Sequence, residues 1–249
     1  MDDVIGEDRT TSAAAAVDAA RRALVSTGAY AMEPAEVSAC VGTDGDGWSR
    51  LAAHWDDLAP DPYAAESGTV RLRRYGTFAL TRDGRLTPRP HDAFVQPEAS
   101  NPMYVGVDRH FEPLTDAFTA DPLLASLIRL LGRVAGCLDD RDEWQVKVHP
   151  FRVLASAGQD GQPTPEGRHR DGVTLVTSLL IGRENATGGA SSVYGADGEH
   201  LLTTTLGEPG SLLLGDDRRT LHEVSPIRPL APERPARRDV LVTTLLPPG

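Results

Sequence analysis

The sequence predicts a mainly β fold, a sandwich or barrel, with flanking helices. Three observations lead there. From Glu143 onward nearly every segment reads as a short strand: Trp144 to His149, Phe151 to Ala155, Val173 to Ile181, Ser191 to Tyr194, Leu201 to Leu206, Ser211 to Leu214, Leu221 to Val224 and Asp239 to Leu246. Turn chemistry separates these strands at Asn185 to Gly189, Ala196-Asp-Gly, Glu208-Pro-Gly and Gly215-Asp-Asp, and many short strands at regular spacing are the mark of such folds. Helical text is confined to residues 1–67 and to one stretch at about 114–138.

Taken in order, residues 1–10 are polar and read as disordered. Thr11 to Thr27 is alanine-rich, with Val17, Ala20, Leu24 and Val25 on one helical face and Gly28 placed to end it. Further helices are expected over 34–58, broken between Gly42 and Gly47 and stopped before Pro60. Character changes near Gly68. Thr69 to Leu80 alternates, Arg82-Asp-Gly-Arg reads as a hairpin turn, and Arg85 to Thr87 returns. Residues 88–113, rich in Pro, Asn and Gly, read as an ordered loop or lid. Leu114 to Leu138 is an amphipathic helical region, expected to brace a sheet. The chain is thus read as a single domain over 1–249, with a helical N-terminal scaffold (1–67) and a β core (68–249).

A net charge of −11 argues against nucleic acid and anionic membrane surfaces as partners. The partner expected is a small molecule. Two cysteines, Cys40 and Cys137, are too few for a disulfide framework and have no zinc spacing, which suits a cytoplasmic protein. The acidic start does not look like a signal peptide, and no apolar run is long enough to span a bilayer. No phosphate-binding glycine loop, GxSxG elbow or internal repeat is present.

The chemistry concentrates between Pro165 and Pro226. Pro165-Glu-Gly-Arg-His-Arg-Asp-Gly places His169 and Asp171 two residues apart, and Thr220-Leu-His-Glu-Val supplies His222. In an extended chain, residues i and i+2 share a face. A double-stranded β-helix, or jelly roll, brings a distant strand beside the first. Two histidines and one carboxylate on one face of an octahedron are the parts of a non-haem Fe(II) centre with open positions. A second His-x-Asp, His54-Trp55-Asp56, sits in helical text, where i and i+2 do not share a face. His91, His110 and His200 lie in loop-like text, and His149 ends a strand near Arg152. The last strand opens with Arg237-Arg238. A buried arginine at that point needs an anion, and its fork suits a dicarboxylate. Periodicity alone does not choose between the two.

The chain resembles the bacterial Fe(II)/2-oxoglutarate dioxygenases that include L-isoleucine 4-hydroxylase. The resemblance spans about residues 68–246. It rests on Arg71-Leu-Arg-Arg-Tyr-Gly-Thr-Phe, Gln96-Pro with Asn101, Arg109-His-Phe-Glu-Pro-Leu and His149-Pro-Phe-Arg. It continues through Pro165 to Gly172, Gly182 to Tyr194, Leu214 to Ile227 and Arg238-Asp-Val-Leu-Val. It implies a jelly-roll core, iron on His169, Asp171 and His222, Arg238 on the far carboxylate of 2-oxoglutarate, and free aliphatic amino acids as the nearest substrate class. The sequence departs from the pattern at His149-Pro-Phe, at Arg168 and over residues 104–108, which lack a double glycine.

Fe(II), 2-oxoglutarate and O2 are therefore the expected cofactors. The reaction expected is hydroxylation of an unactivated C–H bond with release of succinate and CO2. Desaturation or ring closure on the same cofactors is the alternative outcome, and a cupin-like metal-binding sensor without turnover the alternative class. An amino-acid zwitterion needs partners of both signs. The candidates are Arg152 and Arg170 for its carboxylate, and Glu166, Gln96 and Asn101 for its ammonium. Glu184, Asp216 and Asp217 read as turn residues or supports of the ligands.

Overall fold

The computed structural model describes residues 2–64, 68–92 and 109–248, with side chains from residue 11 onward. The chain opens with helix α1 (Asp2–Ser26), strand β1 (Ala29–Met32), helices α2 (Pro34–Val41) and α3 (Gly45–Ala53) and a 3-10 turn at His54–Asp57. Strands β2 (Ala59–Pro60), β3 (Val70–Arg73), β4 (Gly76–Thr81) and β5 (Leu86–Pro88) follow, then helices α4 (Asp116–Thr119) and α5 (Pro122–Ala135). The remainder is β6 (Glu143–Ala155), β7 (Leu175–Glu184), β8 (Ala186–Gly188), β9 (Ala190–Gly195), β10 (His200–Thr205), β11 (Leu212–Asp216), β12 (Thr220–Val224), β13 (Ile227–Pro229) and β14 (Ala236–Leu246).

The strands form two facing antiparallel sheets, the jelly roll expected, and a third, two-stranded one in which β8 pairs with β13. The major sheet runs β1-β11-β7-β14-β6-β3-β2, with β4 pairing β6 and β5. The minor sheet is β10-β9-β12, extended by a single bridge between His169 and His222. The pleat sorts the major sheet into two faces. Trp144, Val146 and Val148 of β6 and Leu241 and Leu245 of β14 pack with Leu24, Leu124, Ile128 and Leu131 of the helices in the main core. Leu180, Leu213 and Val240 point the other way and meet Val193 of the minor sheet. Between the sheets lies a cavity.

Four local expectations are corrected. Residues 2–10 are not disordered, because α1 runs from Asp2. The N-terminal scaffold is not purely helical, because β1 extends the major sheet beside β11. The chain turns from α1 into β1 through Gly28 at φ 87, a conformation that favours glycine. The region 114–138 is two helices, because Pro122 cannot sit in a helix interior; it starts α5, capped by Asp121, whose Oδ1 accepts from the Leu123 and Leu124 N–H groups. Finally, β6 does not stop at His149. Pro150 is tolerated inside it because the neighbouring edge changes there: β3 pairs as far as Phe151 and β4 takes over at Val148. Most of the expected loop over 88–113 lies outside the described residues.

Candidate metal centre and anion-binding cavity

His169 and His222 are a hydrogen-bonded antiparallel pair. His169 N donates to His222 O at 3.0 Å and His222 N to His169 O at 2.9 Å. Side chains of such a pair stand on one face, and the two rings lie 4.4 Å apart between centroids. Asp171 joins them: Oδ1 is 3.9 Å from His169 Nε2 and Oδ2 is 3.7 Å from His222 Nε2. The ligand atoms of all three lie within 4.8 Å of one another. His169 Nδ1 donates to Gly167 O at 2.8 Å, which leaves the Nε2 lone pair for a metal. Burial, first, and then the proximity of His169 push the His222 imidazole down to about 4, against the opposing pull of Asp171. A neutral imidazole is the form that ligates.

Asp217 ties this group together from behind. Its carboxylate accepts the N–H groups of Asp171, Gly172 and Val173 at 3.1, 2.7 and 2.9 Å. Its Oδ1 also lies 3.8 Å from His222 Nδ1. Burial and then the charge of Asp171 raise its carboxyl to about 6. One side chain from the turn after β11 thus holds the loop carrying Asp171 and lies beside the ring of His222.

Arg238 settles what periodicity left open. It faces the cavity, is 1% exposed, and its Nε and Nη2 have no hydrogen-bond partner. Burial, then the like charge of Arg183, lower it to about 10. A buried guanidinium without partners is costly unless an anion enters. Gly189 leaves the room, since a Cβ there would lie 3.3 Å from Arg238 Cδ. Arg237 faces the other way and pairs with Glu184 at 3.1 Å.

The other substrate candidates divide. Glu166 lines the cavity, with Oε1 3.3 Å from His169 Nε2. Arg152 does not reach it. It lies on the opposite face of β6 from Phe151 and Val153 and makes two 2.8 Å hydrogen bonds to Asp239, its cross-strand neighbour. Arg170 is likewise turned away, because it alternates with His169 and Asp171; its Nε donates to Thr220 O at 3.1 Å. Both arginine assignments are therefore withdrawn. Gln96 and Asn101 lie outside the described residues, as do residues 104–108. Arg168 stacks over the Tyr194 ring at 3.4 Å.

Sequence reasoning missed four cations that do line the cavity, namely Arg71, Arg73, Arg109 and Lys147. The signal was present in Arg71-Leu-Arg73, whose alternation puts both arginines on one face of β3. The cavity measures about 150 Å³. The triad and Arg238 fit one metal ion plus one chelating dicarboxylate.

The comparisons agree with this chemistry. A family model described as 2OG-Fe dioxygenase matches residues 52–244. The crystal structure of a bsmA homolog from Methylobium petroleophilum PM1 is 35% identical, with 92% of each chain covered and a TM-score of 0.85. IDO from Bacillus thuringiensis is 17% identical over 94% of this chain and 100% of its own, with a TM-score of 0.77. The Fe(II)/(alpha)ketoglutarate-dependent dioxygenase TqaL is 18% identical over 96% and 89%, with a TM-score of 0.75. These last two show a shared fold. Among curated proteins none matches the chain. The chain belongs to the 2OG-Fe dioxygenase family, whose members use Fe(II), 2-oxoglutarate and O2.

Proposed function

We propose that this oxygenase hydroxylates an unactivated C–H bond of a free aliphatic amino acid or close derivative, with release of succinate and CO2. One observation carries the reading: a single cavity holds two histidines and a carboxylate whose ligand atoms lie within 4.8 Å of one another, and a buried guanidinium without partners. His169, Asp171 and His222 would hold Fe(II) and leave adjacent positions open. Arg238 would pair with the far carboxylate of 2-oxoglutarate through its fork. With metal and cosubstrate bound, the centre supplies from O2 the oxidising power that removes hydrogen from carbon.

The rest of the work belongs to the chain. Gly167 O keeps the His169 ring in one tautomer and orientation. Asp217 holds the Asp171 loop in place. Val193, Val240 and Val242 give the cavity an aliphatic wall that excludes water and suits an aliphatic side chain. Glu166 is the carboxylate for the substrate ammonium. The resemblance over residues 68–246 supports the amino-acid class. A small-molecule partner and a cytoplasmic location complete the reading; among the described residues no helix is long and apolar enough to cross a membrane.

Two experiments test it in sequence. Anaerobic Fe(II) and 2-oxoglutarate should give a metal-to-ligand charge-transfer band. A missing band, or one that survives His222→Ala, sinks the metal assignment. Mass spectrometry of succinate-coupled turnover across free amino acids should then show a product heavier by one oxygen. A product lighter by two hydrogens means desaturation or ring closure instead. Turnover confined to carrier-bound amino acids overturns the free-substrate half and leaves the cofactor half standing.

A further inference from the structure

Arg238 does not stand alone at its end of the cavity. Arg183 of β7 is its cross-strand partner, and the side chains of such a pair stand on one face of the sheet with Cβ atoms ~5 Å apart. The chain returns over both through Gly189. A Cβ at that glycine would lie 3.2 Å from Arg183 Nη1 and 3.3 Å from Arg238 Cδ. The two arginines therefore meet around one point. Two residues beyond Gly189, Ser191 Oγ is buried, lines the cavity and has no hydrogen-bond partner.

Arg183 is fixed in orientation without being neutralised. Its Nε donates to Ala186 O at 3.1 Å and its Nη2 to Gly188 O at 2.6 Å, both carbonyls of β8. Elsewhere in the chain that same edge of the guanidinium holds a carboxylate: Arg152 presents Nε and Nη2 to Asp239, and Arg228 presents them to Asp160. In Arg183 neutral carbonyls take the edge, and the remaining Nη1 is enclosed without a partner. In Arg238 the edge itself, Nε and Nη2, is the part without a partner.

Among the described residues no carboxylate offsets either charge. Burial alone lowers Arg183, and Arg238 is lowered by burial and then by Arg183, with no acidic group opposing them. Two like charges side by side repel, and an anion entering beside them relieves both. Arg183 stands behind Arg238 and does not itself line the cavity. Its influence on a ligand therefore depends on the charge that the ligand brings to Arg238 rather than on the ligand's shape.

We propose that Arg183 is a positioning residue for the anion at Arg238: its fixed charge, which no carboxylate offsets, makes this end of the cavity select a carboxylate over a neutral group of the same shape. This deepens the oxygenase reading, on which it rests, by naming a residue that sets selectivity for the cosubstrate. Arg238 makes the contact, and Arg183 strengthens it for an ionised partner.

The test uses the full chain with Mn(II) and reads binding by calorimetry. The probes are 2-oxoglutarate and its 5-amide, which differ in the charge of the far end. Arg183→Gln should weaken 2-oxoglutarate by about 10-fold and the amide by less than about twofold, the scale of removing a partly screened unit charge several ångströms away. Arg183→Lys keeps the charge and loses the fork to β8, so its 2-oxoglutarate affinity should stay within about threefold of the parent. Arg183→Met repeats the neutral substitution where Arg183→Gln fails to fold. Unchanged 2-oxoglutarate affinity in the neutral variants overturns the proposal. So does an equal loss for acid and amide, or a loss in Arg183→Lys as large as in Arg183→Gln, since either would make Arg183 only a brace for β8. Failure of the parent to bind Mn(II) and 2-oxoglutarate would instead strike the oxygenase reading. Glutarate against its monoamide in the metal-free protein then decides the subsite: Arg183→Gln should again weaken only the acid, and equal binding of acid and amide overturns the proposal.

Discussion

The chain contains the pattern His-x-Asp twice, and the two copies do opposite things. At His169-Arg170-Asp171 the backbone is extended and bridged to His222, so the outer residues face one point and Arg170 faces away. At His54-Trp55-Asp56 the backbone is a 3-10 turn. There the middle residue is the buried one: Trp55 is fully enclosed and its Nε1 donates to Phe151 O at 2.9 Å. His54 stacks on Phe118 and meets Asp121 at 2.9 Å. Asp56 is largely exposed near Arg152. The same three-residue pattern thus makes a candidate ligand pair in one conformation and a packing element in the other, because backbone geometry decides whether i and i+2 share a face.

The contrast can be broken or sharpened by substitution. The largest effect is expected from His222→Ala or Asp171→Ala, each of which should abolish the anaerobic charge-transfer band. His54→Ala and Asp56→Ala should leave it intact, and loss of the band in either would collapse the distinction between the two copies. Arg238→Ala should raise the 2-oxoglutarate requirement by about 100-fold, the scale of removing one partner of a buried charge pair. Arg237→Ala, measured in the same titration, should change it little, because that arginine faces away from the cavity and is spent on Glu184. Asp217→Ala should weaken Fe(II) binding by about 10- to 100-fold without touching a ligand. A metal titration showing unchanged affinity would leave Asp217 a merely structural anchor.

Smaller effects concern the packing copy and acid sensitivity. His54→Ala should destabilise the fold by about 1–2 kcal/mol in denaturant unfolding, through the lost stack and the lost partner of Asp121 Oδ2. His149 is neutral when folded and ordinary when unfolded, so below about pH 6.5 the unfolded chain binds the extra proton. Its contribution therefore lowers stability as pH falls from 6.5. His149→Gln should remove that contribution, so the variant's stability should fall less steeply from pH 7 to pH 5 than that of the parent. Equal slopes would show that His149 is protonated in the folded protein.

How far the site can be read without the fold differs residue by residue. The triad is legible because ligand type and an i, i+2 spacing are local properties, and strand text around His222 suggests how it returns. The two sheets are legible because their strands alternate and their turns carry Gly, Asn and Asp. The split at Pro122 is equally local, because proline cannot sit in a helix interior, although the apolar face continues across it. Arg71, Arg73 and Arg109 were not legible as a group. Charged residues are almost always exposed; alternation puts Arg71 and Arg73 on one face of β3 but does not mark that face as the inward one. Asp217 was visible only as a turn residue, because its three N–H partners lie in a loop that meets it through the fold.

By itself the sequence determined the class of fold, the three candidate ligands and the presence of an arginine at the start of the last strand. Each follows from alternation, spacing or residue chemistry over a few neighbouring positions. Tertiary structure alone decided which arginines face the cavity. Arg238 faces in and Arg237 out because β14 has one register against β6 and β7. Arg152 is held by Asp239 because the two are cross-strand neighbours. Arg73 meets His149 and Phe111 because β3, β6 and the segment before α4 converge. A charge becomes a binding group only when the surrounding fold buries it toward a cavity, and that depends on contacts far apart in the chain.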